Sequence, residues 1–383
     1  MKTNENFKCP YCNSSNIYSY VWIPNLPFTI HPTINKDSVI SKDFEAMCCK
    51  ECCLGFSRNK LSVKETNYIY NNYIYIQPSN NIGSSKYIKY IKLITKHLNI
   101  DDNIVEIGSS DGYILNELNK RGYRNLTGVE PSKLANIAIS NGLNIKNEYF
   151  NEALFFDETI DSFLLMHVYE HFIDPFDILK TMVKKLKNNG KIIIEVPNFT
   201  GYHHEHLFYY NSNFVHRLSN DFSLSINELI IDSDVLQFVL VKTTEVKPYT
   251  DILESKEDIL NKINKLLLVQ DDNFNKLLDF LPKEKEKEKV YWWGSGSLSI
   301  FYISKLSSLK QFKYLELMIL DGDKNKVGLF VPPINKAIIS FEEIKNSKIK
   351  YLIIASSFFN EIQETIKDIG TTVEYIYILD ESI

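Results

Sequence analysis

Three histidines and a glutamate, His203, His204, Glu205 and His206, stand together just after an apolar segment that ends at Asn198. An imidazole near neutral pKa, beside a carboxylate able to fix its tautomer, is what proton abstraction next to a carbonyl requires. A histidine-rich surface loop and a second metal site are the other readings, because histidine is also the commonest metal ligand. A second set of residues suits a nucleoside. The stretch IVEIGSSDG places Glu106, Gly108, Ser110, Asp111 and Gly112 in a loop of small residues, where backbone can press against a bound ligand. Glu130 follows 18 residues beyond Gly112, at the end of the apolar stretch LTGVEPS and just before Pro131. An acid at the tip of a second strand can take both ribose hydroxyls. The glycine spacing is G-x-x-x-G, not the G-x-G-x-x-G that packs a pyrophosphate on a helix N-terminus, so the expected ligand is a nucleoside without phosphates.

All six cysteines fall in the first 53 residues, as Cys9-x-x-Cys12 followed by Cys48, Cys49, Cys52 and Cys53. Two C-x-x-C turns supply the four thiolates of a structural zinc and leave no open position for water. Cys9, Cys12, Cys49 and Cys52 form the simplest set; a shifted register involving Cys48 or Cys53, and disulfides, are the alternatives.

These residues need a scaffold of alternating strands and helices. IVEI reads as a short buried strand, GYILNELNKRG as the helix after it, and KIIIEVPN, Lys191 to Asn198, as a later strand. From Ser84, SSKYIKYIKLITKHL has apolar residues at helical spacing. Ahead of it Tyr68, Tyr70, Tyr73 and Tyr75 cluster, either to close over a substrate or to pack against the next domain. A helical connector, DILESKEDILNKINKLLLVQDDNFNKLLDFL, leads to the charge run Lys283 to Lys289, read as a solvated boundary. Gly294-x-Gly296 then lies between a strand and a helix, and Asp321 ends the next strand. With Ser299 in the third glycine's place this is half of a dinucleotide fingerprint, and either a structural turn or a nucleotide site fits it.

The chain of 383 residues is 44% hydrophobic, enough for two or three domains with cores of their own. A net charge of −5 lacks the basic excess of a nucleic-acid footprint. No apolar run of membrane-spanning length and no signal peptide are read, so the expected location is the cytoplasm.

The donor loop and its context resemble the class I S-adenosylmethionine (SAM)-dependent methyltransferases. Asp161 to Leu179 is similar to that family's fourth strand and following loop, and Lys191 to Asn198 to its fifth strand. His167 is then expected in the wall of the donor pocket, and a structural role falls to His171. The whole layout resembles the sugar C-methyltransferases of deoxysugar biosynthesis, in C-x-x-C…C-x-x-C, E-I-G-x-x-D-G-Y, G-V-E-P-S and a Y-H-E-H segment followed by a tyrosine. The resemblance implies an α/β chain in three parts: a zinc-binding module over 1–62, a SAM-binding methyltransferase domain with a Tyr-rich helical lead-in over 63–245, and a C-terminal Rossmann-like domain over 246–383. It implies SAM and a structural zinc as cofactors, and a small-molecule acceptor, a nucleotide-linked 4-keto sugar. It makes His206 the base, with Glu205, His204, His203 and Tyr202 around it. Tyr75, Tyr209, Gly294, Gly296 and Asp321 are then expected to contact substrate. His203 stands where the family has its tyrosine, Tyr202 is displaced by one position, and the family's H-G-G-S segment has no counterpart. Carbon methylation is the leading expectation, and these departures are what open the alternatives to it. O- or N-methylation in the same scaffold comes next, with an NAD-dependent oxidoreductase and a non-catalytic binding protein behind.

Overall fold

The computed structural model describes residues 7–35, 39–72, 84–232, 235–249, 254–282, 288–356 and 358–379. Tyr73, Tyr75 and Lys283 to Lys287 of the charge run lie outside them. The chain opens with strands β1 (Ile17–Pro27), β2 (Ser41–Cys49) and β3 (Gly55–Ser57), followed by helices α1 (Val63–Asn72) and α2 (Ser84–His97). Alternation then begins: β4 (Ile104–Ile107), α3 (Tyr113–Lys120), β5 (Leu126–Val129), α4 (Ala135–Ser140), β6 (Ile145–Lys146), β7 (Ile160–Met166), α5 (Pro175–Lys185) and β8 (Leu186–Pro197). β9 (Phe208–Tyr209), α6 (Ser212–Asp221), β10 (Leu224–Ile231) and β11 (Val235–Lys242) complete this part.

Seven of these strands form one sheet in the order β10-β11-β8-β7-β4-β5-β6. β4 to β8 run parallel, and β11 enters antiparallel between β8 and β10. Ile192, Ile193, Ile194, Leu164 and Leu165 are fully buried, as expected of central strands covered on both faces, which read as continuous apolar runs. The strand order reverses at β4, flanked by β5 on one side and β7 on the other, so a crevice opens beyond their C-terminal ends. The expected class I methyltransferase architecture is the one observed: the reversal at the first strand and the antiparallel insertion of the last are its topology.

The remaining segments sit around this sheet. α7 (Lys256–Phe280) begins at a capping box in which the Ser255 side chain accepts from Asp258 N and Asp258 reaches back to the Ser255 backbone. β12 (Glu288–Trp293), α8 (Ser297–Ser307), β13 (Leu315–Asp321), β14 (Phe330–Val331), β15 (Lys336–Ser340), β16 (Lys348–Ile354), α9 (Phe359–Asp368) and β17 (Thr372–Ile378) follow. Their sheet, β14-β15-β13-β12-β16-β17, is parallel except at β14 and is Rossmann-like, with its own reversal at β12.

The N-terminal strands bind both neighbours. β9, from the middle of the chain, completes the sheet β1-β2-β3-β9, so one strand crosses the expected boundary at residue 62. On the other side Ile23, Leu26 and Phe44 share a buried cluster with Ile259, Trp292 and Ile300. Thr33 and Phe330 exchange backbone hydrogen bonds of 2.8 Å each, so the N-terminal segment pairs with β14. Among the described residues, no helix is long and apolar enough to cross a membrane.

Candidate active site

The loop after β4 turns because Gly108 holds φ +74°, and its N–H donates to Val129 O at 2.8 Å. A Cβ there would lie 2.4 Å from Val168 Cγ2, so backbone and Val168 occupy the space a side chain would need. Gly112, at φ +79°, is the residue that starts α3, packed on Ala138 and Leu143. Across the loop, Glu130 accepts the Ser110 N–H at 2.9 Å and the Ser132 N–H at 2.8 Å. A cavity of about 810 Å³ opens above these strand ends. Of the residues expected to hold the donor, Glu106, Gly108, Ser110, Asp111, Glu130, Pro131 and His167 line it, whereas Gly112 lies behind. Glu106 is 3% exposed and its Oε2 has no partner. Burial first, then the charges of Asp111 and Glu130, push its carboxyl well above the usual range. Asp111 and Glu130 make this end of the cavity acidic, which suits a cationic ligand.

The opposite end is built by the turn after β7. His167 takes φ +51°, which turns the chain away from the sheet, and its Nε2 lies 3.0 Å from Glu195 Oε1 while Nδ1 lies 3.5 Å from Glu170 Oε1. Burial opposes charge on His167, but the two carboxyls overturn that and raise it to about 9. Gln237 donates to the other Glu195 oxygen. His171, expected to be structural, lines the cavity with His167 and sits edge-on to the His206 ring at 4.9 Å. Glu205 also lines the cavity, and burial, with no hydrogen bond or charge beside it, raises its carboxyl to about 8.

The other residues expected at the reaction centre stand behind this wall. His206 does not line the cavity; its Nε2 lies 3.8 Å from Glu170 Oε1. Burial, reinforced by His203 and His171, holds its pKa well below the ordinary value. The His203 ring lies 3.8 Å from that of His206, tilted by 43°, and its pKa is depressed for the same first reason, burial. His204 serves the fold: Nε2 lies 3.1 Å from the carbonyls of Leu26 and Lys42, and the ring stacks on Phe28 at 4.4 Å. The Tyr202 hydroxyl donates to Phe199 O at 2.6 Å and that of Tyr209 to His206 O at 3.2 Å, and neither ring lines the cavity. Glu170 and Glu195 were not singled out in the sequence; the acid beside His171 in Y-E-H was the available signal for the first.

In the C-terminal sheet, Gly294 holds φ +115°, and a Cβ would lie 2.3 Å from Ala355 O, so contact with the neighbouring strand end explains this glycine. Space beside Gly296 is open. Asp321 accepts Ser295 Oγ at 2.5 Å, Lys326 Nζ at 3.1 Å and Asp323 N at 2.9 Å, so protein groups already occupy its carboxyl. None of these residues lines the cavity.

The cysteines fit the group expected of them. The sulfurs of Cys9, Cys12, Cys49 and Cys52 lie within 4.8 Å of one another, with Cys9 to Cys52 at 3.6 Å and Cys12 to Cys49 at 3.5 Å. Four sulfurs about 2.3 Å from one zinc stand about 3.8 Å apart, whereas a disulfide brings them to about 2 Å. The hydrogen bond between Cys9 and Cys52 pulls the Cys9 thiol down and pushes the Cys52 thiol up, as expected of two sulfurs sharing one proton. Cys48 and Cys53 belong to a different buried cluster from Cys9, Cys49 and Cys52: Cys48 and Cys49 are adjacent residues of β2 and face opposite ways, and Cys53 follows in the turn at φ +61°.

The strand order and the acid-tipped loop beneath the cavity define a class I SAM-dependent methyltransferase domain. Residues 82–224 match the family model described as a methyltransferase domain. Two curated relatives, each named tRNA U34 carboxymethyltransferase, come from Sulfurimonas denitrificans and Nautilia profundicola; they are 29% and 26% identical over 117 residues, 28% of this chain. The match spans only 39% of their length. Among solved structures, the 1,6-didemethyltoxoflavin-N1-methyltransferase of Burkholderia thailandensis is 13% identical and aligns over 50% of this chain and 96% of its own, with a TM-score of 0.39.

Proposed function

We propose that the chain transfers a methyl group from SAM to a carbon of a nucleotide-linked keto sugar, and that Glu205 removes the proton from that carbon. One observation carries this reading: a single cavity joins the acidic loop around Glu106 and Glu130 to Glu205. The donor's positive charge suits the acidic end, and Glu130 can receive ribose hydroxyls on the lone pairs its two backbone donors leave free. Sulfonium displacement by carbon needs a carbanion, hence a base; many oxygen and nitrogen acceptors need only positioning. The sequence assigned the base to His206, but Glu205 is the member of that segment on the cavity wall, so the reading moves the proton there. The four cysteines would hold a structural zinc that fixes the N-terminal strands. Asp321, already bonded within the protein, supports a structural role for the C-terminal turn rather than a ribose contact.

The names of the curated relatives favour a second acceptor, tRNA. Their match covers 28% of this chain and 39% of their own length, and the net charge of −5 speaks against a polyanion. The test is deuterium exchange at carbon in a panel of nucleotide-linked 4-keto sugars, followed by mass spectrometry with SAM, with unmodified tRNA in a parallel arm. Exchange and a methyl mass gain, both lost in Glu205→Gln, support the reading. Methyl gain without exchange points to an oxygen or nitrogen acceptor, and mass gain on tRNA alone overturns the sugar.

A further inference from the structure

Glu170 is 1% exposed, and neither carboxyl oxygen has a hydrogen-bond partner. Leaving such a group unpaired in the interior is costly, and more so for a charge than for a neutral polar group. Three imidazoles surround Oε1, and their distances differ in kind. His167 Nδ1, at 3.5 Å, is shared, since its other nitrogen goes to Glu195. His206 Nε2 at 3.8 Å and His171 Nε2 at 3.9 Å are too far for hydrogen bonds. All three ligand atoms of Glu170, His171 and His206 nevertheless lie within 4.8 Å of one another. Two atoms bound at about 2.1 Å to one ion stand about 3 to 4.2 Å apart, depending on the angle between the bonds.

We propose that Glu170, His171 and His206 bind a first-row divalent metal ion at the inner end of the cavity, distinct from the four-cysteine site. One carboxylate and two imidazoles form a borderline donor set suited to zinc, iron(II) or cobalt, and three protein ligands leave positions open. His171 lines the cavity while Glu170 and His206 lie behind it, so the ion would meet the cavity on the His171 side. The helical turn Tyr169–His171 presents Glu170 and His171 together, and the loop after β8 brings His206 from the other side. His203, whose ring packs at 3.8 Å against that of His206, and Leu207 N, which donates to Glu170 O at 2.8 Å, hold the ligands in register. In the role given to it the ion rests on the proposed keto-sugar reading: it would draw the negative charge that deprotonation by Glu205 places on the acceptor's carbonyl oxygen. Its binding rests on the geometry alone.

The full chain, treated with a chelator mild enough to leave one zinc per chain, is titrated with Co²⁺ and with Zn²⁺ while metal is counted by plasma mass spectrometry. The expected result is one further ion per chain, with cobalt d–d bands of a nitrogen–oxygen site and no thiolate charge transfer. Glu170→Ala and, separately, His171→Ala should weaken Co²⁺ binding at least about 100-fold, the upper end of what losing an outer-shell partner costs. An unchanged circular dichroism spectrum in each variant reports an intact fold. A wild type that takes up no second ion, or variants that bind Co²⁺ as wild type does, overturns the site. A second ion bound by a protein that exchanges no proton in any keto sugar supports the site while the sugar reading falls; proton exchange by a wild type with no second ion removes the site and leaves that reading standing.

Discussion

The backbone N–H of Ser110 donates to the Glu130 carboxyl at 2.9 Å, tying the loop after β4 to the tip of β5. One acid thereby shapes the loop and faces the cavity. Glu130→Ala should weaken SAM binding by about 10- to 100-fold, the effect of losing one or two hydrogen bonds to a charged group. Glu130→Gln keeps one acceptor oxygen and should lose less. Isothermal titration with SAM measures both, and an unaltered dissociation constant in the alanine variant removes Glu130 from the donor site.

The cysteine geometry separates six thiols into four and two. Cys52→Ser, within the set of four, should abolish zinc retention and loosen the N-terminal sheet, lowering the melting temperature. Cys48→Ala and Cys53→Ala should each keep one zinc per chain, at the modest cost of a small buried side chain. Zinc counted in purified variants decides it: loss of zinc in Cys48→Ala together with retention in Cys52→Ser would establish the shifted register instead.

Gly108 combines φ +74° with a Val168 methyl 2.4 Å from where a Cβ would stand. Gly108→Ala therefore meets two penalties, a left-handed conformation costing about 1 kcal/mol or more and a clash that must push Val168 off the loop. SAM affinity should fall by more than tenfold. Val168→Ala in the same chain relieves the clash but not the dihedral, so it should restore part of the affinity; full restoration would show that the backbone dihedral carries no cost.

What was legible in the sequence was local. IVEIGSSDG, LTGVEPS and the two C-x-x-C turns carry their meaning within a few residues, and the donor loop and sulfur cluster form where they were expected. What was not legible depends on pairing between distant segments. His204 looks reactive in Y-H-H-E-H, yet it is consumed by carbonyls of Leu26 and Lys42, more than 150 residues earlier. His171 and Glu170 look like a turn, yet His171 lines the cavity and Glu170 is buried behind it, because β8 and the loop beyond it return beside β7. β9 joins the N-terminal sheet through two residues, too short a strand to carry any periodicity.

Glu106 offers a test by pH. Its carboxyl is buried beside Asp111 and Glu130, and burial, then those charges, raise its folded pKa well above the ordinary value. A raised pKa means that the folded state binds the proton more tightly than the unfolded chain, so this contribution to stability is complete below the unfolded value, near 4.5, and declines as pH rises above it. The decline cannot exceed about 1.4 kcal/mol per pH unit, the limit for one proton. Glu106→Gln carries no such proton, so the wild type should lose stability relative to the variant as pH rises from near 4.5 toward the raised folded value. SAM should narrow that gap, because a cation in the acidic end of the cavity favours the charged carboxylate. Denaturant unfolding of both chains across this range, with and without SAM, measures the effect, and curves that stay parallel would show Glu106 ionised in the folded protein.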